Sequence, residues 1–286
     1  QGSSKEMTKA ISDAAVIVGG GQAGAQCAIS LRQHGWSGAI VMIAAEETLP
    51  YQRPPLSKAY LAGEMTVDRL LLREQAFYDA QNIRMWLGES VTAIDRRDNA
   101  VVTSEGEVFP FAKLFLATGT RPRKLSVPGI QLDGIGYFRG IADVRRLQPA
   151  FQSASNLVVI GGGYIGLEVA AVARKRGMNV TVVEAGERLL GRVTSEVVSD
   201  FYAAFHRAKG VDIRFRTTVA AFEGERKVRV VRLSSGEELP CDLAIIGIGV
   251  DANDELAMYS GIDVEPGVGI VVDPAMRTSD LNIYAI

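Results

Sequence analysis

The chain has 286 residues, 47% of them hydrophobic and 22% charged, with a formal net charge of −2, which is the profile of a globular protein long enough for about two domains with proper cores. That balance supplies no basic footprint for nucleic acid or an anionic membrane, no apolar run reaches the roughly 20 residues of a membrane span, and the polar start lacks the apolar segment of a signal peptide. A cytoplasmic protein is expected, and the two cysteines (Cys27, Cys241) and two histidines (His34, His206) form neither a close dithiol pair nor a metal cluster.

Residues 1–10, opening on Gln1–Ser4, read as a tag-like, unordered start. Structure begins with AVIVGGGQAGAQCA, Ala15 to Ala28, an apolar strand that meets a glycine cluster and turns into a helix. Gly19 permits the tight turn, Gly21 lets a pyrophosphate approach the backbone, and Gly24 lets the helix pack on the strand. An anion can then rest on the helix N-terminus. The following strand, Ala39 to Ala45, ends at Glu46, 27 residues after Gly19, where a carboxylate can hold a ribose hydroxyl. Next comes LPYQRPPLSK, Leu49 to Lys58, in which the paired prolines Pro54-Pro55 fix an extended approach and Ser57-Lys58 opens a short helix through Tyr60 and Leu61. Arg53 and Lys58 bracket this rigid turn, either as solvated cations or aimed at an anionic cofactor.

Val67 to Leu87 reads as helix and then strand, and Val91 to Val108 alternates like a small antiparallel sheet with turns at Asp95–Asn99 and Ser104–Gly106. The apolar strand Lys113–Ala117 stops at Thr118-Gly119, which is either an ordinary loop or a place where backbone amides meet a nucleotide. Arg121 to Ile130 is the linker candidate, and a helix starts at Arg139. Then the glycine phrase returns as LVVIGGGYIGLEVA, with Gly161, Gly163, Gly166 and Ala170 each 142 residues after Gly19, Gly21, Gly24 and Ala28. Glu184 closes the next apolar strand. Two fingerprints, each with strand, helix and acid in place, imply two bound dinucleotides. Alternating strands are expected at Asp212–Arg216, Val228–Leu233 and Leu243–Ile248, the last stopped by Gly247-Ile248-Gly249. A hairpin near Gly269–Val272 and a terminal strand complete the chain. The expected domains are 11–121 with 252–286, and 122–251 inserted between them.

The pieces GGGQAG from Gly19, RPPLSKAYLAGE from Arg53, LATGTRPR from Leu116, VVIGGGYIGLEVA from Val158, Glu184 and TSDLNIYAI at the end together resemble the pyridine nucleotide-disulfide reductase superfamily. Within it the chain is similar to the FAD-dependent ferredoxin reductases of bacterial oxygenase systems, nearly throughout Val16 to Ala285. The resemblance implies an α/β fold of two Rossmann-like, glutathione reductase-type three-layer domains, the second inserted in the first and each carrying a small antiparallel sheet. It implies FAD on the first loop and NAD(H) on the second. Glu46 would hold the FAD ribose, Lys58 would lie by flavin N5, Arg53 and Arg139 would contact FAD, and Val91 and Gly119 would offer backbone contacts. Glu168 would face the nicotinamide and pair with Lys58. Ala23, Thr118, Tyr164, Ile165 and Gly249 join the cofactor-binding set.

The implied activity passes hydride from NADH to FAD and then single electrons to a small iron–sulfur protein, a ferredoxin or rubredoxin serving an oxygenase or cytochrome P450. A carboxylate at Glu184 favours a free adenosine ribose over a 2′-phosphate, so NADH is expected over NADPH, with Arg188 nearby tempering the preference. Disulfide reductases and NADH peroxidases of the superfamily carry cysteine near the FAD helix, whereas Leu56–Tyr60 has none. The family pattern also continues past Ile286 into Gly-Asp and a C-terminal domain, so weakened FAD binding and acceptor docking are expected. Competing expectations are a redox-sensing flavoprotein of the apoptosis-inducing-factor type and a flavin-free nucleotide-binding fragment.

Overall fold

The computed structural model describes residues 13–286; the start expected to be unordered, 1–10, lies outside the described residues. The described chain divides into two compact units, one of residues 13–52, 70–121 and 251–286, the other of 53–69 and 122–250. The strands Thr120–Pro122 and Val250–Ala252, through which the chain enters and leaves the 122–250 stretch, pair with each other.

In the first unit five parallel strands lie in the order Ile283–Ala285, Lys113–Leu116, Ala15–Val18, Ile40–Ala44 and Ile83–Leu87. Alternation along Ala15–Val18 sends its side chains into two different cores. Ala15 and Ile17 pack with Ala25, Ala28 and Tyr78 of the helical layer. Val16 and Val18 pack with Ile94, Val101 and Phe111, beneath the antiparallel sheet of Val91–Asp95, Ala100–Thr103 and Val108–Pro110. Burial on both faces is why the strand reads as an unbroken apolar run, and each fully buried valine or isoleucine contributes about 1.5–3 kcal/mol.

The second unit repeats the plan. Its parallel order is Val211–Arg214, Asn179–Val183, Asn156–Ile160, Leu243–Ile246 and Ile135–Tyr137. Val158 and Ile160 meet Phe222, Val231 and Leu233 of the antiparallel sheet Val219–Glu223, Val230–Leu233 and Glu238–Pro240. Helix Tyr164–Lys175, with Val169, Ala170 and Ala173 buried, covers the Asn156–Ile160 and Asn179–Val183 strands. Each unit is therefore a three-layer, Rossmann-like α/β fold.

Three expectations differ from the structure. Residues 53–69, expected with the first domain, belong to the second unit: Leu56, Tyr60 and Leu61 are buried, and their short helices, Pro54–Ser57 and Ala59–Ala62, meet helices Ile141–Ser153 and Tyr164–Lys175. Leu243–Ile246, expected to alternate, is buried along its whole length inside the parallel sheet, whereas Val211–Arg214 alternates as expected because it is an edge strand buried on one face. Helix Glu196–Ala208 was not foreseen, because it turns small or polar residues, Ser199, Ala203 and His206, to the interior and leaves Val197, Phe201 and Phe205 exposed.

His206, stacked on Tyr202 with 6.4 Å between centroids, is buried, and burial lowers its pKa below the ordinary value. The unfolded chain then binds the extra proton first, so stability is whole above about pH 6.5 and falls as pH drops below it toward the depressed folded value. Thermal unfolding followed from pH 7.5 to 5.5 is expected to show this loss in the native chain and a smaller one in His206→Phe.

Candidate functional site

Both glycine loops lie at the carboxyl ends of their parallel strands, each beside the strand that carries the acid on one side and the strand that stops at a glycine on the other. The three glycines of each loop have different reasons to be there. A Cβ on Gly24 would sit 2.2 Å from the Gly19 carbonyl oxygen, and one on Gly166 would sit 2.3 Å from that of Gly161. Helix and turn are in backbone contact at these points. Gly19 and Gly161 have φ of +125° and +105°, and a Cβ there would strike the Ala117 and Gly247 carbonyls. The middle glycines are unlike these. Gly21 and Gly163 have extended backbones, with φ of −83° and −85°, and a Cβ on either meets nothing within 4 Å. Neither conformation nor protein packing demands glycine at those two positions.

What the middle glycines keep open is the mouth of a helix start. Gln22–Gln33 and Tyr164–Lys175 have no side-chain N-cap and no acid in the first turn, so their leading N–H groups are left for an external acceptor. Open space over bare amide donors fits a pyrophosphate in both units. Ala23, Tyr164 and Ile165 are exposed around these mouths.

The two acids are held differently. The Tyr51 hydroxyl donates to Glu46 Oε2 at 2.5 Å. Glu184 accepts from the Gly162 amide at 2.7 Å through Oε2 and from the Gly186 amide at 2.6 Å through Oε1. It is therefore a clamp on the glycine loop as well as a polar group beside it. Arg188, expected to temper the coenzyme preference, is occupied elsewhere: its guanidinium donates to the Thr194 and Gly191 carbonyls and to Ser199 Oγ, each at 2.8 Å.

Glu168, on the second turn of helix Tyr164–Lys175, lies 2.8 Å from Lys58 Nζ through Oε1 and accepts from Ser57 Oγ at 2.5 Å through Oε2. Lys58 also donates to the Pro54 carbonyl at 3.3 Å. The rigid proline turn thus hands both a hydroxyl and an ammonium to one carboxylate. With Lys58 and Glu168 about half and a third exposed, the pair adds only modest stability, and its value lies in where it fixes charge. Arg53 Nη1 donates to the Arg139 carbonyl at 2.6 Å, which brings these two expected residues together, and the Arg139 and Gly140 amides donate to Asp143.

In the first unit Thr118 Oγ1 donates to the Asn253 carbonyl at 2.7 Å, and Asn253 returns bonds from Nδ2 to the Thr118 carbonyl and from its amide to the Gly119 carbonyl. Gly119 has φ of +66°. The Thr118 side chain braces the loop against Asn253. Val91 begins the antiparallel sheet opposite Thr103. Gly249, φ +113°, accepts the Arg123 amide at its carbonyl. Ser57, Tyr51 and Asn253 are the partners that sequence reasoning missed; Tyr51 and Ser57 stood inside the quoted stretch Leu49 to Lys58, and Asn253 stood in none.

Neither thiol is poised for redox work. Burial pushes Cys27 up to about 11 and Cys241 up to about 12, so the nucleophilic thiolate is scarce at neutral pH. Among the described residues no group of three or more His, Cys, Asp or Glu side chains could hold a metal ion.

Residues 13–286 match the family model described as pyridine nucleotide-disulphide oxidoreductase. The chain is 44% identical over 274 residues to rhodocoxin reductase of Rhodococcus erythropolis, covering 95% of this chain and 63% of the relative. It is also 44% identical over 280 residues to putidaredoxin reductase of Pseudomonas putida, covering 96% and 66%. The crystal structure of a covalent putidaredoxin reductase–putidaredoxin complex superposes with a TM-score of 0.92 over 96% of this chain and 67% of that one, at 44% identity. The chain thus spans about two thirds of the length of these relatives.

The glycine geometry separates folding from binding. Gly166→Ala is expected to destabilise the chain by about 1–3 kcal/mol, since a methyl is forced against backbone. Gly163→Ala should unfold within about 1 kcal/mol of the native chain yet bind NADH at least about tenfold more weakly. Denaturant melts and a fluorescence titration with NADH check the pair.

Proposed function

Since the chain belongs to the pyridine nucleotide-disulphide oxidoreductase family, we propose that it is the nucleotide-binding portion of an FAD-dependent NADH reductase that passes single electrons to a ferredoxin or rubredoxin serving an oxygenase or cytochrome P450. The observation that carries the reading is the Lys58–Glu168 pair, which occupies the turn where a dithiol relay would otherwise be sought, with no cysteine among Leu56–Tyr60. The relatives named above are reductases of small redox proteins, which agrees with it.

In this proposal the first unit holds FAD on Gly19, Gly21, Ala23 and Gly24, with Glu46 toward the ribose and backbone at Val91, Thr118 and Gly119. Arg53, Lys58 and Arg139 also serve that cofactor. The second unit holds NAD(H) on Gly161, Gly163, Tyr164, Ile165 and Gly166, with Glu184 at the adenosine ribose and Gly249 at the strand end. When bound, the flavin and nicotinamide supply the conversion of a two-electron hydride into single electrons. The protein supplies position and charge. The helix N-termini carry the pyrophosphates, the Lys58 ammonium favours negative charge on the reduced flavin, and Glu168, gripped by Ser57, keeps that ammonium in place. No residue serves as a covalent nucleophile.

Among the described residues no helix is long and apolar enough to cross a membrane, and a cytoplasmic site of action is part of the proposal. NADH is the proposed donor, because a carboxylate at Glu184 favours a free ribose over a 2′-phosphate and Arg188 is committed to its own loop.

The first test is the visible spectrum of the chain loaded with FAD, recorded before and after NADH without oxygen. Bleaching of the flavin band is expected, followed by recovery on adding an oxidised ferredoxin. A flavin that binds but is untouched by NADH would sink the proposal. In the same titration NADPH is expected to act with at least about tenfold weaker apparent affinity; equal affinities would remove Glu184 from its role.

A further inference from the structure

The sheet of the second unit ends on the strand Ile135–Tyr137, and along its outer side runs a cavity of about 610 Å³. It is bounded by the loop before the strand and by the last turns of helix Ile141–Ser153. The glycine loop, by contrast, follows Asn156–Ile160 at its carboxyl end, two strands inward. None of the coenzyme-loop residues lines the cavity.

Its lining combines two chemistries. Leu132, Ile135 and Leu147 give apolar wall, and three cations reach it: Lys124, Arg146 and Lys227. Lys124 Nζ lies 4.1 Å from the centroid of the Tyr137 ring, which also lines the space. Among the described residues the Arg146 guanidinium makes only a long 3.5 Å contact, to the Ile135 carbonyl. No ion pair joins Lys124, Arg146 or Lys227 to a carboxylate among the described residues. Elsewhere on this unit the arginines at 214, 216, 229 and 232 each meet an acid. Asp133 is the one acid lining the cavity, so the wall carries a net excess of positive charge.

A volume of this size suits a small organic molecule, and cations left without carboxylates beside an apolar wall call for an anion with an apolar body. We propose that this edge cavity binds a small organic anion, an aromatic or alicyclic carboxylate or sulfonate, whose ring lies against Leu132 and Leu147 and whose charge is met by Arg146 and Lys227. Tyr137, with the Lys124 ammonium over its ring, completes the lining. The site is separate from coenzyme binding and does not depend on the reductase reading.

The test is isothermal titration of the chain with naphthalene-2-sulfonate, in saturating FAD and NAD+ so that both glycine loops are already filled. One saturable site is expected. R146Q/K227Q should weaken it by at least about tenfold, whereas R145Q, on the same helix but outside the lining, should leave it unchanged. Ala150→Trp, which fills the cavity with a side chain, should abolish it without altering NADH binding. The proposal is overturned if the native chain shows no saturable binding, if R146Q/K227Q and Ala150→Trp bind as the native chain does, or if R145Q weakens binding as much as R146Q/K227Q.

Discussion

Everything in each unit follows from one backbone contact, the meeting of a helix with the turn that precedes it at Gly24 and Gly19, and again at Gly166 and Gly161. There is no room for a single carbon between these atoms. That closeness sets the helix on the strand, aims its uncapped amides past the sheet end, and determines which residues reach the ligand side. The buried runs Ala15–Val18 and Asn156–Ile160 supply the energy of folding, but they would do so with any turn of suitable length. The glycines decide what the fold can hold.

The two units use this frame for different ends through residues outside the contact. At the position of Glu168 the first helix has Gln26, whose amide merely bonds Ser30, whereas Glu168 gathers Ser57 and Lys58 from a chain segment more than a hundred residues earlier. The acids diverge likewise, one fixed by a tyrosine hydroxyl and the other by two backbone amides. A shared scaffold thus carries two local chemistries, and the difference lies in partners contributed by other segments.

That distinction also explains what was legible in the sequence. The glycine loops, their strands and their acids could be read because strand, turn and helix are contiguous, and the spacing itself is the geometric requirement. The assignment of 53–69 to the second unit could not be read, because it depends on where Leu56, Tyr60 and Leu61 find a core rather than on any local pattern. Ser57, Tyr51 and Asn253 were invisible for a related reason: a hydroxyl or amide that braces a distant group leaves no periodicity. Helix Glu196–Ala208 was missed because its larger apolar side chains face solvent, opposite to the rule by which helices are found.

Glu184 carries two duties on one carboxylate. Its oxygens tie the amides of Gly162 and Gly186, and in the proposed function the same group meets the adenosine ribose. A lineage drifting toward a phosphorylated coenzyme would have to give up this acid, and in doing so would take the acceptor from the part-buried Gly162 amide in the glycine loop and from the exposed Gly186 amide beside it. Coenzyme preference in this chain is therefore tied to the integrity of the turn. A successful switch needs a compensating acceptor for those amides before, or together with, any new cation, and Arg188 can serve as that cation only if its own loop is rebuilt.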